Sequence, residues 1–193
     1  MKKIFTYALV EIFFLVFASS CSRTTVEPGP TPTSSIPGYS FGNPAEYGET
    51  LNWHGIMDVT VWGFIKDADS LIADAGRRID EPDAGKKYVI LAITFDCTWE
   101  TKACKPLLTF YLNNSTGTKY IKIPFLFFEK KIAIVRDLEN QDFEELEMFS
   151  GLEEYEFVAG ETVSGGLVYM IDENETELLV SFLDDLFWEL PSP

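Results

Sequence analysis

The chain has 193 residues, 46% of them hydrophobic and 15% aromatic, enough to bury the core of one domain of ordinary size. It carries 31 acidic against 15 basic residues, a formal charge of −16. That balance argues against nucleic acid and against a peripheral hold on anionic lipid, since both need a positive surface.

The N-terminus sets Lys2 and Lys3 ahead of an apolar run over residues 4–18, which ends in Ala18-Ser19-Ser20-Cys21. A cationic start, an apolar core and small residues before a cysteine are the layout of a bacterial lipoprotein export signal. Residues 1–20 are then removed and the Cys21 thiol carries the lipid, so the protein is expected to face the extracytoplasmic side of a membrane. Glu11 interrupts the run, leaving it shorter than the ~20 residues of a spanning helix. Ordinary secretion with cleavage near Ser20 is an alternative, but it gives no reason for a cysteine here. Loss of Lys2, Lys3 and Glu11, net +1, leaves the mature chain at −17.

Residues 22–39 read SRTTVEPGPTPTSSIPGY, too poor in core formers to offset the entropy of ordering them, with prolines that favour extended chain. They are expected to tether one domain over residues 40–193. In that domain Val59 and Val61 alternate with Thr60 and Trp62, and Val89, Leu91, Ile93 and Phe95 alternate with Ile90, Ala92 and Thr94. Period two in β-branched and aromatic residues is the strand pattern. Further strands are predicted over residues 107–112, 119–128, 131–136, 162–171, 177–182 and 187–190. Turns are predicted at 82–85, 113–117 and 159–160. Helical spacing appears only over 67–78 and 137–149. The whole predicts an all-β, immunoglobulin-like antiparallel β-sandwich with one or two short helical segments.

Four stretches carry a resemblance: Gly48-Glu49-Thr50, the strand from residue 56 to 64, Gly85-Lys86-Lys87-Tyr88-Val89-Ile90-Leu91, and Ala159-Gly160-Glu161-Thr162-Val163-Ser164-Gly165-Gly166-Leu167-Val168-Tyr169. Over about residues 48–190 the chain resembles the DUF4352 family, immunoglobulin-like domains common in bacterial lipoproteins and similar in fold to a secreted mycobacterial antigen of the MPT63 type. The chain departs from that pattern after Phe95, where Asp96 to Cys104 replace an Asn-containing turn, and over a longer segment from 125 to 155. The resemblance implies a fold and a location; it brings no catalytic residues. Gly85 and Gly160 fit turns that need positive φ. Gly165 and Gly166 lie inside a strand pattern, where a bulge or the close approach of another backbone is the first expectation and a ligand contact the sharper one.

With Cys21 assigned to lipid, Cys97 and Cys104 remain. In an exported protein a disulfide is the first expectation; a buried thiol serving as a small hydrophobe is the alternative for Cys97, which follows the inward set of its strand. One histidine and two thiols fall short of a structural zinc site. His54 is the only histidine, and the sequence places no nucleophile or carboxylate beside it. No G-x-S-x-G, P-loop or dinucleotide fingerprint occurs, so no catalytic residue, cofactor or enzymatic activity is expected. Asp137, Glu139, Gln141, Asp142, Glu144, Glu145 and Glu147 crowd oxygen ligands together without the EF-hand glycine, which allows at most weak calcium contact; a solvated helical face explains them equally well. The rings of Tyr120, Phe125, Phe127, Phe128, Phe182, Phe187 and Trp188 are core or interface, with core favoured. The expected function is therefore a cell-surface lipoprotein whose non-catalytic domain contacts an unknown protein partner, the alternative being a calcium- or small-ligand-binding envelope lipoprotein.

Overall fold

The computed structural model describes residues 36–75, 80–123, 132–137, 142–146 and 156–191, with the side chains of 75, 132–137 and 142–146 outside that description. Its described strands are β1 (Thr50–Trp53), β2 (Met57–Ile65), β3 (Lys86–Cys97), β4 (Phe110–Asn114), β5 (Lys119–Ile121), β6 (Ile132–Asp137), β7 (Asp142–Leu146), β8 (Thr162–Asp172), β9 (Leu178–Phe182) and β10 (Leu186–Glu189), and the helix among the described residues is α1 (Asp69–Ala75), between β2 and β3. One sheet runs β1-β2-β3-β8 and the other β10-β9-β4-β5; β6 and β7 pair as a separate hairpin. The pairings in both sheets are antiparallel, so the body is the expected immunoglobulin-like β-sandwich.

The core lies between the sheets. Val59, Val61, Val89, Leu91, Ile93, Phe95, Leu167, Tyr169 and Ile171 of the first sheet face Phe110, Leu112, Val180, Phe182, Leu186 and Trp188 of the second. Residues 88–95 are apolar or buried almost without a break because β3 is covered on both faces. Its other face, Tyr88, Ile90 and Ala92, joins Trp62, Val168, Ala68 and Ile72 in a second cluster under α1. The helix is held there by Ala68 N donating to Tyr88 O and by Asp69 Oδ1 accepting from Tyr88 N. Among the expected aromatic core residues Tyr120, Phe182, Phe187 and Trp188 are buried; Phe125, Phe127 and Phe128 lie outside the described residues.

Several expectations are corrected. The helix over 137–149 is not formed where the chain is described, because Asp137 closes β6 and Asp142–Leu146 is a strand paired to it, Ile132 opposite Leu146 and Val135 opposite Phe143. Phe143 and Leu146 stand three apart, which imitates helical spacing, but the β-branched β6 supplies a pairing partner and pairing overrides local spacing. Nor is there a bulge at Gly165 and Gly166, which pair in unbroken register with Ile93 and Ala92. The irregularity lies across the sheet in β2, between Val61 and Gly63. There Trp62 is the extra residue, and its indole donates to Thr94 Oγ1 at 2.8 Å. The strand expected from 107 begins at Phe110, after Pro106, which offers no ladder donor. The strand expected over 119–128 leaves its sheet after Ile121: Lys122 bridges to Tyr169 and Ile123 N donates to Val168 O, closing one side of the sandwich.

The opposite side is closed by the segment before β1. Phe187 N donates to Gly38 O, Ala45 N to Phe187 O and Glu189 N to Ala45 O, laying residues 38–45 along the open edge of β10. Gly38 and Tyr39, tether residues by composition, are thus hydrogen-bonded into the body.

Candidate functional site

One end of the sandwich collects the loops between β1 and β2, after β3, before β8, and between β9 and β10. In the first, Asn52 Oδ1 accepts from Gly55 N at 2.6 Å and Asn52 Nδ2 donates to Asp58 Oδ1 at 2.6 Å. The turn so fixed puts His54 at φ 55. In the β9–β10 turn Leu183 and Asp184 have φ 53 and 59. These are the three non-glycine residues with positive φ among the described ones, a conformation that costs ~1–2 kcal/mol for an ordinary side chain. The two turns meet at one carboxylate: Asp185 Oδ2 accepts from Trp53 Nε1 at 3.2 Å and stands 3.3 Å from His54 Nε2. Trp53 packs edge-on against Phe182, centroids 5.7 Å apart, and against the His54 ring at 5.1 Å.

The disulfide loop joins the same end. Cys97 closes β3 and Cys104 lies at disulfide distance from it, with Cα atoms 5.8 Å apart. Both are 2–3% exposed and belong to the main core, so a disulfide and a buried hydrophobic role are compatible here. Cys97 N donates to Glu161 O, Gly160 N to Cys97 O, and Cys104 and Phe157 exchange both backbone hydrogen bonds. Gly160 makes this corner at φ 84. Thr98 N donates to Ile56 O, tying the loop to the β1–β2 turn. Lys102 Nζ sits 4.6 Å from the centre of the half-buried Trp99 ring, and Lys105 pairs with Glu156 at 2.9 Å. The result is a cross-braced loop surface displaying Trp53, His54, Trp99 and Val158.

His54 has its carboxylate, but its side chain is 64% exposed, and no hydrogen bond joins it to a serine or threonine hydroxyl among the described residues. Nor, among those residues, is any group of three His, Cys, Asp or Glu placed to hold a metal ion. Of the acidic run weighed for calcium, Asp137, Asp142, Glu144 and Glu145 fall on β6 and β7; Glu139, Gln141 and Glu147 lie outside the described residues, as does Cys21.

At the other end a polar network knits the strands. Tyr120 shares its hydroxyl proton between Asp172 Oδ2 at 2.7 Å and Glu175 Oε1 at 2.8 Å; Lys86 Nζ pairs with Asp172 and Asn114 Nδ2 donates to Glu175. The Lys86 ammonium, with the Tyr120 hydroxyl, holds Asp172 below the usual carboxylate range. Burial and the two carboxylates push Tyr120 up. Neither the network nor the Asp185 junction carries a sequence signal, because each joins residues far apart in the chain.

No protein-family model matches the sequence, and no curated protein matches it. Solved structures of similar outline include an uncharacterized β-sandwich protein from Clostridium difficile, 15% identical, covering 83% of this chain and 100% of its own at a TM-score of 0.42. A conserved hypothetical protein from Bacillus anthracis is 13% identical, covering 82% of this chain and 100% of its own at 0.45. The candidate lipoprotein ycdA from Bacillus subtilis is 9% identical, covering 77% of this chain and 39% of its own at 0.45.

Proposed function

We propose that this chain is a lipoprotein of the cell envelope, held by lipidated Cys21 at the extracytoplasmic face of a membrane, and that its DUF4352-like domain works without catalysis as a protein-contact module. The observation that carries the contact reading is the pair of turns joined at Asp185. Strained, non-glycine backbone at a loop end persists where the surroundings over-determine it, and such places are commonly binding surfaces. Cross-bracing to the disulfide loop offers Trp53 and Trp99 to a partner already ordered, which lowers the entropy lost on association, and tryptophan is a favoured anchor of protein interfaces.

The test is photo-crosslinking in intact cells of the organism, with a photoreactive residue in place of His54 or Val158 and, as controls, Gly117 or Glu173 at the other end. The proposal expects one saturable protein adduct from positions 54 and 158, weakened by Trp53→Ala, and none from the controls. Equal labelling from both ends, or no adduct from either, would refute it.

A further inference from the structure

The exposed large apolar side chains include three within six residues: Ile36 at 61%, Tyr39 at 39% and Phe41 at 55%. They sit where the chain from Cys21 joins the body. The loop presenting them is fixed. Gly38 N donates to Asn43 O at 2.8 Å and Asn43 N to Ser40 O at 3.1 Å, closing a tight turn under Phe41. Tyr39 donates its hydroxyl to Asn52 O at 3.0 Å and leaves the ring outside. Phe41 leans on Phe187, centroids 6.0 Å apart. In a chain with 31 acidic and 15 basic residues, positions 28–45 contain no charged residue at all, so the loop itself brings no ion to an apolar medium, and the carboxylates that line a cleft with Phe41 are Glu177 and Glu189, both exposed to water.

We infer that Ile36, Tyr39 and Phe41 form a second membrane contact, which dips into the bilayer interface beside the lipid on Cys21 and fixes which way the domain faces. This rests on the lipoprotein reading above. The length of intervening chain selects the bilayer as occupant: fifteen steps from Cys21 to Ile36 would span ~20 Å root-mean-square as a random coil and ~45 Å as a polyproline II helix. A tether that short holds the loop at millimolar effective concentration over the surface, where a contact too weak to recruit the protein by itself is still populated. Aromatic rings with one polar edge, as in Tyr39, favour the water–lipid boundary. The acidic remainder of the domain is repelled by anionic headgroups, so the contact is expected to be fuller on zwitterionic lipid than on anionic lipid.

The experiment bypasses native lipidation, so the two readings fail separately. The chain from Cys21 onward, which keeps every described residue, is coupled through the Cys21 thiol to maleimide lipid in phosphatidylcholine vesicles, with Cys97 and Cys104 oxidised. Side-chain reactivity toward hydroxyl radicals is read by mass spectrometry against the uncoupled protein. Tyr39 and Phe41 should lose reactivity severalfold, while Ile121 and Val158, equally apolar and exposed on other elements, stay unchanged. Phe41→Ser should restore the reactivity of Tyr39, and phosphatidylserine in the vesicles should weaken its protection. Unchanged reactivity at Tyr39 and Phe41, or uniform loss at all four positions, would overturn the inference. So would concentration-dependent protection of uncoupled protein, which would give the patch to a second copy. An unlipidated Cys21 in cells would remove the anchor yet leave the vesicle result standing.

Discussion

Gly38 makes the sharpest demand on sequence in the fold. Its φ is +87, and a Cβ built on it would stand 2.4 and 2.6 Å from the two terminal carbons of Leu51 and 3.1 Å from Ala45 Cβ. Leu51 is a core side chain only 6% exposed, so it yields only by displacing its neighbours. The left-handed conformation costs Gly38→Ala ~1–2 kcal/mol and the overlap a further ~1–3 kcal/mol, together ~2–5 kcal/mol. Gly48 is the internal control: its φ is +89, but nothing lies within 4 Å of its Cβ position, so Gly48→Ala should cost only the backbone part, ~1–2 kcal/mol. Urea unfolding followed by tryptophan fluorescence measures both. At the usual 2–4 °C per kcal/mol for a body of this size, Gly38→Ala should lower Tm by about 5–15 °C. Leu51→Ala alone should cost ~2–5 kcal/mol. The double variant should cost less than the sum, because removing the Leu51 side chain removes the overlap. Equal effects of Gly38→Ala and Gly48→Ala, or strict additivity with Leu51→Ala, would refute the close-approach argument.

Replacing Cys97 and Cys104 with serine should lower stability by ~2.5 kcal/mol on the chain-entropy account of an eight-residue loop, and wild-type protein in reductant should fall to match it in the same urea titration. Although Tyr47 is 36% exposed, its hydroxyl turns inward onto Trp62 O at 2.6 Å, and burial pushes it up to about 12 against an opposing hydrogen bond from the Phe64 backbone. A raised folded value means stability intact below pH 10 and lost between about 10 and 12, so Tyr47→Phe should flatten the alkaline limb of a Tm–pH profile. Asp172 is shifted the other way, so its contribution is present above the ordinary carboxylate value near ~4 and lost as pH falls through its lower folded value. Asp172→Asn should shrink the stability difference between pH 6 and more acidic solution. Asp185→Ala should cost less than ~1 kcal/mol, since the His54 side chain is 64% and that of Asp185 49% exposed and water screens the pair, yet speed amide exchange at residues 53–56; unchanged exchange would remove Asp185 as the junction of the two turns.

What was legible in the sequence was periodicity. The alternation around Val59 and through residues 89–95 located β2 and β3, and the turns at Gly85 and Gly160 have the positive φ their positions demand. Illegible was anything that depends on a distant partner. β7 was hidden because Phe143 and Leu146 imitate a helix until β6 is beside them. The glycines of β8 suggest a bulge by composition, whereas Trp62, two strands away, takes the irregularity and its indole finds Thr94. The Trp53-His54 doublet was visible, but the carboxylate that organises it comes 131 residues later than His54. Gly38 lies in a stretch with tether composition and is nonetheless built into the edge of β10, because a glycine needed for close approach looks no different from a linker glycine.

The central claim is that Cys21 anchors this sandwich to a membrane, and the mass of the N-terminal peptide of protein extracted from cell membranes tests it most directly. The account predicts a chain that begins at Cys21 and carries a diacylglyceryl group on its sulfur, with Cys21→Ala protein leaving the membrane fraction. An intact Met1 terminus, or an unmodified Cys21 in protein that still sediments with membranes, would contradict it.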